Sequence, residues 1–442
     1  MGERAMRLFG AHRIGLRLAA ALVCVPVVLI STAGTAAAAT VTFETGSAKS
    51  TFGTSIDFTQ PYSGAAVQSA SILITLPDYV GPLVVPLTSA GSDALTYSMD
   101  TSGGAVKPFV PVVGQFEVVL SDGTVADGPQ IRITYDDDRF TWKTLVGKVV
   151  RLHYIDASDS FAQQMLNEAD TGVADAATLF GVTETAPIDY YVYPSQNTFQ
   201  QGTNQPDTVG GTVVESVRIC YATVEPDNTS YAAQVMPHEP THVVFWDATH
   251  NSYHEQPRWL NEGFAQYVSQ GYDSDSRQMV QQAAQSGTLY SLLGLTNYFP
   301  LDANRIQLVY AESVAAADFM VTKYGKPAIA KLAKAYAGGA TDDEAFTAAF
   351  GVDVAAFDKA FMADNNTTAT KYGPQTEATS PPGAAGSSGQ QNPTGSGSGS
   401  SGSTGADNTT VYLVAGLMAA AGVVLLGLAL AIALSSRRQT AR

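Results

Sequence analysis

Cysteine is almost missing from this chain of 442 residues; only Cys24 and Cys220 occur. Cys24 falls in an apolar N-terminal run, so the remainder holds one thiol and no intrachain disulfide can form there. An exported protein manages without one when its core is large enough. Basic residues are also short, 24 Lys and Arg against 40 Asp and Glu, for a formal charge of −16. Several of them cluster at the two ends, which leaves the middle more acidic still. That balance argues against nucleic acid or anionic lipid as a partner and for solubility outside the cell. Histidine is scarce too, with six in the chain and none between Thr40 and Asp138.

Against that scarcity, two histidines fall four residues apart in Pro237-His238-Glu239-Pro240-Thr241-His242. On a helix, positions i and i+4 share a face, so both imidazoles can grip one metal ion. Glu239 then stands beside the metal, where it can take a proton from a water bound there. The apolar Val243-Val244-Phe245-Trp246 buries one side of this helix, and the segment Trp259 to Tyr267 (WLNEGFAQY) supplies Glu262 as a further ligand. Two histidines and one glutamate leave a fourth position open, which marks a catalytic rather than a structural zinc site. The expected cofactor is one Zn2+ per chain, held by His238, His242 and Glu262.

These residues resemble the gluzincin metallopeptidases, and within them the peptidase MA-like group. WLNEGFA is close to the form in aminopeptidase N-type enzymes, while the spacing from His242 to Glu262 is more like thermolysin. Ile188 to Gln201 resembles the strand and turn before the active site of such domains, and Tyr310 to Leu332 the helices after it. The similarity covers about residues 139–363. It implies an α+β metallopeptidase domain and hydrolysis of peptide or protein substrates, with Glu239 as general base. It also implies that Tyr310, at the start of the later helix, stabilises the tetrahedral intermediate; Tyr324, near a helix end, reads as packing. Two positions depart from the family pattern: Pro240, where leucine is usual, and Gln266, where an acidic residue is more frequent. Proline is at home only in a first helical turn. The helix is therefore expected to begin at about Pro237 or His238, with His238 on a frayed turn. The two departures also support a rival reading, a degenerate, non-catalytic surface binding module. A second rival is an aminopeptidase, although the Gly210 to Glu215 segment lacks the acidic amine anchor that such enzymes carry.

The domain organisation expected is a signal peptide (1–39), an all-β sandwich, Ig-like in broad class (40–138), a zinc metallopeptidase domain (139–364), a Gly/Ser/Pro-rich disordered linker (365–410), one transmembrane helix (411–434) and a cytoplasmic tail (435–442). Arg4, Arg7, Arg13 and Arg17, an apolar run from Leu18 to Ile30 and the Ala36–Ala39 ending form the signal. Val411 to Leu434 carries no charge and would span roughly 36 Å as a helix. Arg437 and Arg438 then mark the cytoplasmic side. The localisation expected is the cell membrane, single-pass, with the N-terminal domains outside.

Between the ends, SILITL, PLVVPL, ALTYSM, QFEVVL and QIRITY alternate in the manner of strands. The sandwich reads as a spacer or a substrate-presenting module. Asp136-Asp137-Asp138 reads as a solvated turn, and DDDRFTW as a hinge into the next domain. Further on, Val149 to Ile155 and Asp189 to Pro194 read as strands, Ser160 to Val182 as a helix ending at Gly181, and Thr341 to Glu344 as a capping box. Phe346, Phe350, Phe357 and Phe361 read as core. His250 and His254 read as solvated loop residues, and His153 as structural.

Overall fold

The computed structural model describes residues 40–367, except 78, 89–92, 207–208, 298 and 301–302. The expected signal peptide, most of the linker, the transmembrane helix and the tail lie outside the described residues. Among those described, no helix is long and apolar enough to cross a membrane.

The N-terminal region is two antiparallel sheets face to face. The first holds β1 (Val41–Phe43), β2 (Ser47–Thr51), β3 (Ser55–Gly64) and a later strand; the second holds β4 (Val67–Thr75) and β5 (Leu83–Pro86). The chain returns to the first sheet as β6 (Ala94–Asp100), then adds β7 (Pro111–Leu120), β8 (Val125–Asp127) and β9 (Ile131–Thr134) to the second. Because side chains alternate across a strand, Ile56 and Phe58 of β3 meet Ile72 and Ile74 of β4 and Phe116 and Val118 of β7 in one core. β3 escapes a hydrophobic-run reading because it is written SIDFTQPYSG. Its inward third position is Gln60, fully buried, whose amide nitrogen donates to the Glu44 carbonyl at 2.6 Å.

The second region is built on a mixed sheet. β10 (Lys143–Val146) pairs antiparallel with β11 (Val150–Tyr154), which runs parallel to β12 (Ile188–Tyr193). At the other edge, β13 (Gly211–Val214) pairs antiparallel with β14 (Ile219–Thr223), which lies parallel to β12. Alternate residues of this sheet enter different cores. Ile188, Tyr190, Val192, Cys220 and Ala222 face the helices, while Tyr193, Ile219 and Tyr221 join the core of the sandwich. The sheet is therefore covered on both faces, which is why all of β14 is buried.

The helices are α1 (Asp159–Phe180), α2 (Gln196–Thr203), α3 (Thr229–Thr249), α4 (Arg258–Ser269), α5 (Ser274–Ser286), α6 (Ala303–Tyr324), α7 (Lys326–Ala337), α8 (Asp342–Phe350) and α9 (Val354–Asp364). α1 ends at Gly181 in the left-handed conformation, and Thr341 with Glu344 forms the capping box of α8. Trp259 is fully buried beside Phe346 and Phe357, and Tyr324 packs on Phe350 and Phe357.

The junction expected as a hinge is instead anchored. Asp137 is 1% exposed and takes two hydrogen bonds from the Arg139 guanidinium, at 2.8 and 2.7 Å. It also accepts the Tyr193 hydroxyl at 3.0 Å, so it is no solvated turn residue. Trp142 sits edge-on to Phe109, Tyr191 and Tyr193 and ties sandwich to sheet. A buried, paired carboxylate resists bending at this point because opening it would strand a charge away from water.

Candidate metal centre

α3 begins about two turns earlier than proline chemistry suggests. Asn228 caps it by accepting the Tyr231 N–H, and the helix then runs through both Pro237 and Pro240 to Thr249. The expected start at Pro237 or His238 is thus corrected, and His238 sits mid-helix. A proline inside a helix removes a hydrogen bond and crowds the carbonyls of the preceding turn. The acceptors left without an N–H by Pro237 and Pro240 are the Ala233 and Met236 carbonyls. Neighbouring carbonyls of the same turns take an extra bond each: Thr241 Oγ1 donates to the Pro237 carbonyl at 2.8 Å, and the Tyr190 hydroxyl of β12 donates to the Val235 carbonyl at 3.0 Å. The whole segment is also packed, since Pro237 through Phe245 is buried. Asn228 lies in an N-x-S pattern that says little by itself, and its capping role is the signal that could have located the true start.

The register then aligns the expected ligands. Donor atoms of His238, His242 and Glu262 lie within 4.8 Å of one another, and all three residues are buried. Glu262 Oε2 is 3.7 Å from His238 Nε2 and 3.8 Å from His242 Nε2. These separations are too long for hydrogen bonds. They are close to the ~3.4 Å spacing of donors that share one zinc ion at about 2.0–2.1 Å. His242 Nε2 and Glu262 Oε2 are buried and make no hydrogen bond. Buried polar atoms in a folded chain are normally satisfied, so two orphans aimed at one point fit a cation better than they fit a packed core. Two imidazoles and a carboxylate are a zinc donor set.

Protonation states suit the same centre. Burial above all pushes the His242 imidazole down to about 4, so it is neutral near pH 7 and offers a lone pair. Its Nδ1 lies 2.8 Å from Asn261 Oδ1, which assigns the proton to Nδ1 and leaves Nε2 for a metal. His238 has no such support, because its Nδ1 is buried and unpartnered. Glu239 is 2% exposed, and burial, followed by Glu262 and Glu215, raises its carboxyl well above the usual range. The edge strand β13 runs against it. A Cβ at Gly211 would lie 2.2 Å from Glu239 Oε1, so only glycine lets the strand approach this closely.

Tyr310 lies inside α6, which begins at Ala303, and so does not open the helix as expected; it is buried with its ring edge-on to Phe299 at 5.6 Å. α6 reaches α4 closely where Gly263 meets the Ser313 carbonyl; a Cβ there would be 2.3 Å from that oxygen. Residues outside the sequence expectation also shape the region. Arg258 opens α4 with Nε 3.8 Å from Glu262 Oε1, and its guanidinium lies over the Phe299 ring at 4.6 Å. Glu312, fully buried, accepts the Tyr290 N–H and secures the chain that leads to Phe299. Only Asn261 among these lay inside a motif. Arg258 and Glu312 had no local pattern to betray them.

The other histidines among the described residues make ordinary contacts. His254 is not merely solvated: it pairs with Asp342 at 2.7 Å and pins the loop between α3 and α4. His250 stacks on Trp246, and His153 sits between Thr144 and Asp189.

With this geometry in view, residues 168–365 match the family model of the Peptidase MA superfamily, a stretch that takes in α3 and α4 with His238, His242 and Glu262. No curated protein matches the chain. Among solved structures, an aminopeptidase N family protein from Idiomarina loihiensis is similar at 10% identity, over 72% of this chain and 75% of that one, with a TM-score of 0.39. An M1 zinc metallopeptidase mutant from Deinococcus radiodurans, bound to a Tyr-Ser-Ala substrate, is similar at 12% identity over 73% and 94% of the two chains, with a TM-score of 0.32.

Proposed function

We propose that this protein is a zinc-dependent peptidase. The observation that carries the proposal is the convergence of buried His238, His242 and Glu262 donors within 4.8 Å, one residue from Glu239. Zinc held by these three residues would polarise the scissile carbonyl and bring the pKa of a water toward 7. Glu239 accepts the proton of the attacking water and returns it to the leaving amine. Burial around it excludes bulk water from that transfer. Tyr310 donates a hydrogen bond to the developing oxyanion. The superfamily match over the helical half supports the reaction class. The rival binding-module reading leaned on Pro240, and a helix continuous through that residue weakens it.

Internal cleavage is the preferred specificity, because the strand beside Glu239 reads Gly-Thr-Val-Val and holds no carboxylate to anchor a free amine. One observation favours an aminopeptidase instead: Glu215, just past that strand, acts electrostatically on Glu239. An N-acetylated peptide separates the two, since an endopeptidase cuts it and an aminopeptidase does not. The Arg-rich, apolar start and the uncharged Val411–Leu434 segment support placement at the cell membrane, catalytic region outward.

The decisive experiment is Glu239→Gln. Zinc content by elemental analysis stays near one per chain while peptide hydrolysis falls by at least about 100-fold, the scale of a lost general base. A variant as active as the wild type would remove Glu239 from the mechanism.

A further inference from the structure

The two oxygens of Glu262 face different partners. Oε2 points at the imidazoles, 3.7 and 3.8 Å from their Nε2 atoms. Oε1 faces Arg258 one helical turn earlier, 3.8 Å from its Nε. We infer that Arg258 is a positioning residue for the metal centre: it holds Oε1 so that Oε2 is presented for coordination. The inference rests on the zinc reading above and adds a residue to it.

The guanidinium is itself fixed. Arg258 is the first residue of α4, and its N–H donates to the Thr296 carbonyl at 2.8 Å. The side chain is 21% exposed, with its planar head 4.6 Å from the Phe299 ring centroid. Phe299 in turn meets Tyr310 at 5.6 Å. Stacking of this kind holds a guanidinium without using its N–H groups. Arg258 Nη2 is buried and makes no hydrogen bond, so the arginine is not engaged in a two-pronged pair elsewhere.

Charge gives the second reason. Glu262 is 2% exposed. A buried carboxylate needs a counter-charge before any ion arrives, and Arg258 is the cation paired with it. With His242 held by Asn261, the first turns of α4 then contain one ligand and the positioning partners of two ligands. Outer contacts of this kind change metal affinity by about 10–100-fold when removed.

The test is zinc affinity of the purified protein, measured by competition with a chromophoric chelator. Arg258→Met keeps an apolar stem on Phe299 and removes the charge. The expected result is a zinc Kd raised about 10–100-fold, with the metal-free protein lowered in melting temperature by loss of the counter-charge but still folded by circular dichroism at the assay temperature. Arg258→Lys, which restores charge but not the planar stack, recovers part of the affinity. Arg258→Met binding zinc as tightly as the wild type overturns the inference, and so does Arg258→Lys binding as weakly as Arg258→Met. Failure of the wild type to bind zinc would instead sink the metal-centre reading itself.

Discussion

α3 and α4 both bring proposed ligands to one point, but they are built in different ways. α3 carries two prolines among its candidate donors and is enclosed by other parts of the protein, which bury Pro237 through Phe245. α4 instead keeps its polar partners close in sequence. Its ligand Glu262, that ligand's partner Arg258 and the His242 partner Asn261 all lie within its first turn and a half. The contrast shows that a motif's chemistry and its mechanical support need not lie in the same element. α3 contributes most of the reactive groups, and α4 contributes most of what aims them.

The strongest way to break this comparison is to remove one ligand from each helix. His242→Ala and Glu262→Ala should each lower zinc from near one per chain toward zero by elemental analysis and abolish hydrolysis. If either variant keeps full zinc, that residue is not a ligand. Next in size is Asn261→Ala, which frees the His242 ring; its zinc Kd should rise about 10–100-fold while the fold persists by circular dichroism. On α3, Pro240→Ala restores a backbone donor without adding side-chain volume at this buried position. It should stabilise the protein to urea by about 1–3 kcal/mol, with zinc binding kept, because a mid-helix proline costs about that much. A destabilised Pro240→Ala would mean that the proline ring is itself needed for packing. The smallest effect is expected from Thr241→Ala, which removes the hydroxyl to the Pro237 carbonyl; urea unfolding should show a loss of about 1 kcal/mol.

How legible the site was depended on how local its causes are. His238, Glu239, His242 and Glu262 could be read because metal ligation demands fixed residue types at a fixed helical spacing. The capping box at Thr341 and the Gly181 stop were equally local. The start of α3 was not, since Pro240 argues for a break and the packing that buries the segment comes from elements remote in sequence. β3 was missed because serine, threonine, glutamine and proline make up much of it, and burial of Gln60 makes sense only once the Glu44 carbonyl lies opposite. Asp137 reads as a surface residue until Arg139 and Tyr193 enclose it.

By itself, the amino-acid order determined which residues are candidates for the proposed chemistry and the period of the elements that hold them, because both follow from short-range geometry along one chain. Only the tertiary structure decided that the mixed sheet shares a core with the sandwich. It alone brought β13 against Glu239 and set Arg258 between Phe299 and Glu262. Those contacts join elements whose packing depends on side-chain shape and burial, which act through space and leave no period in the sequence.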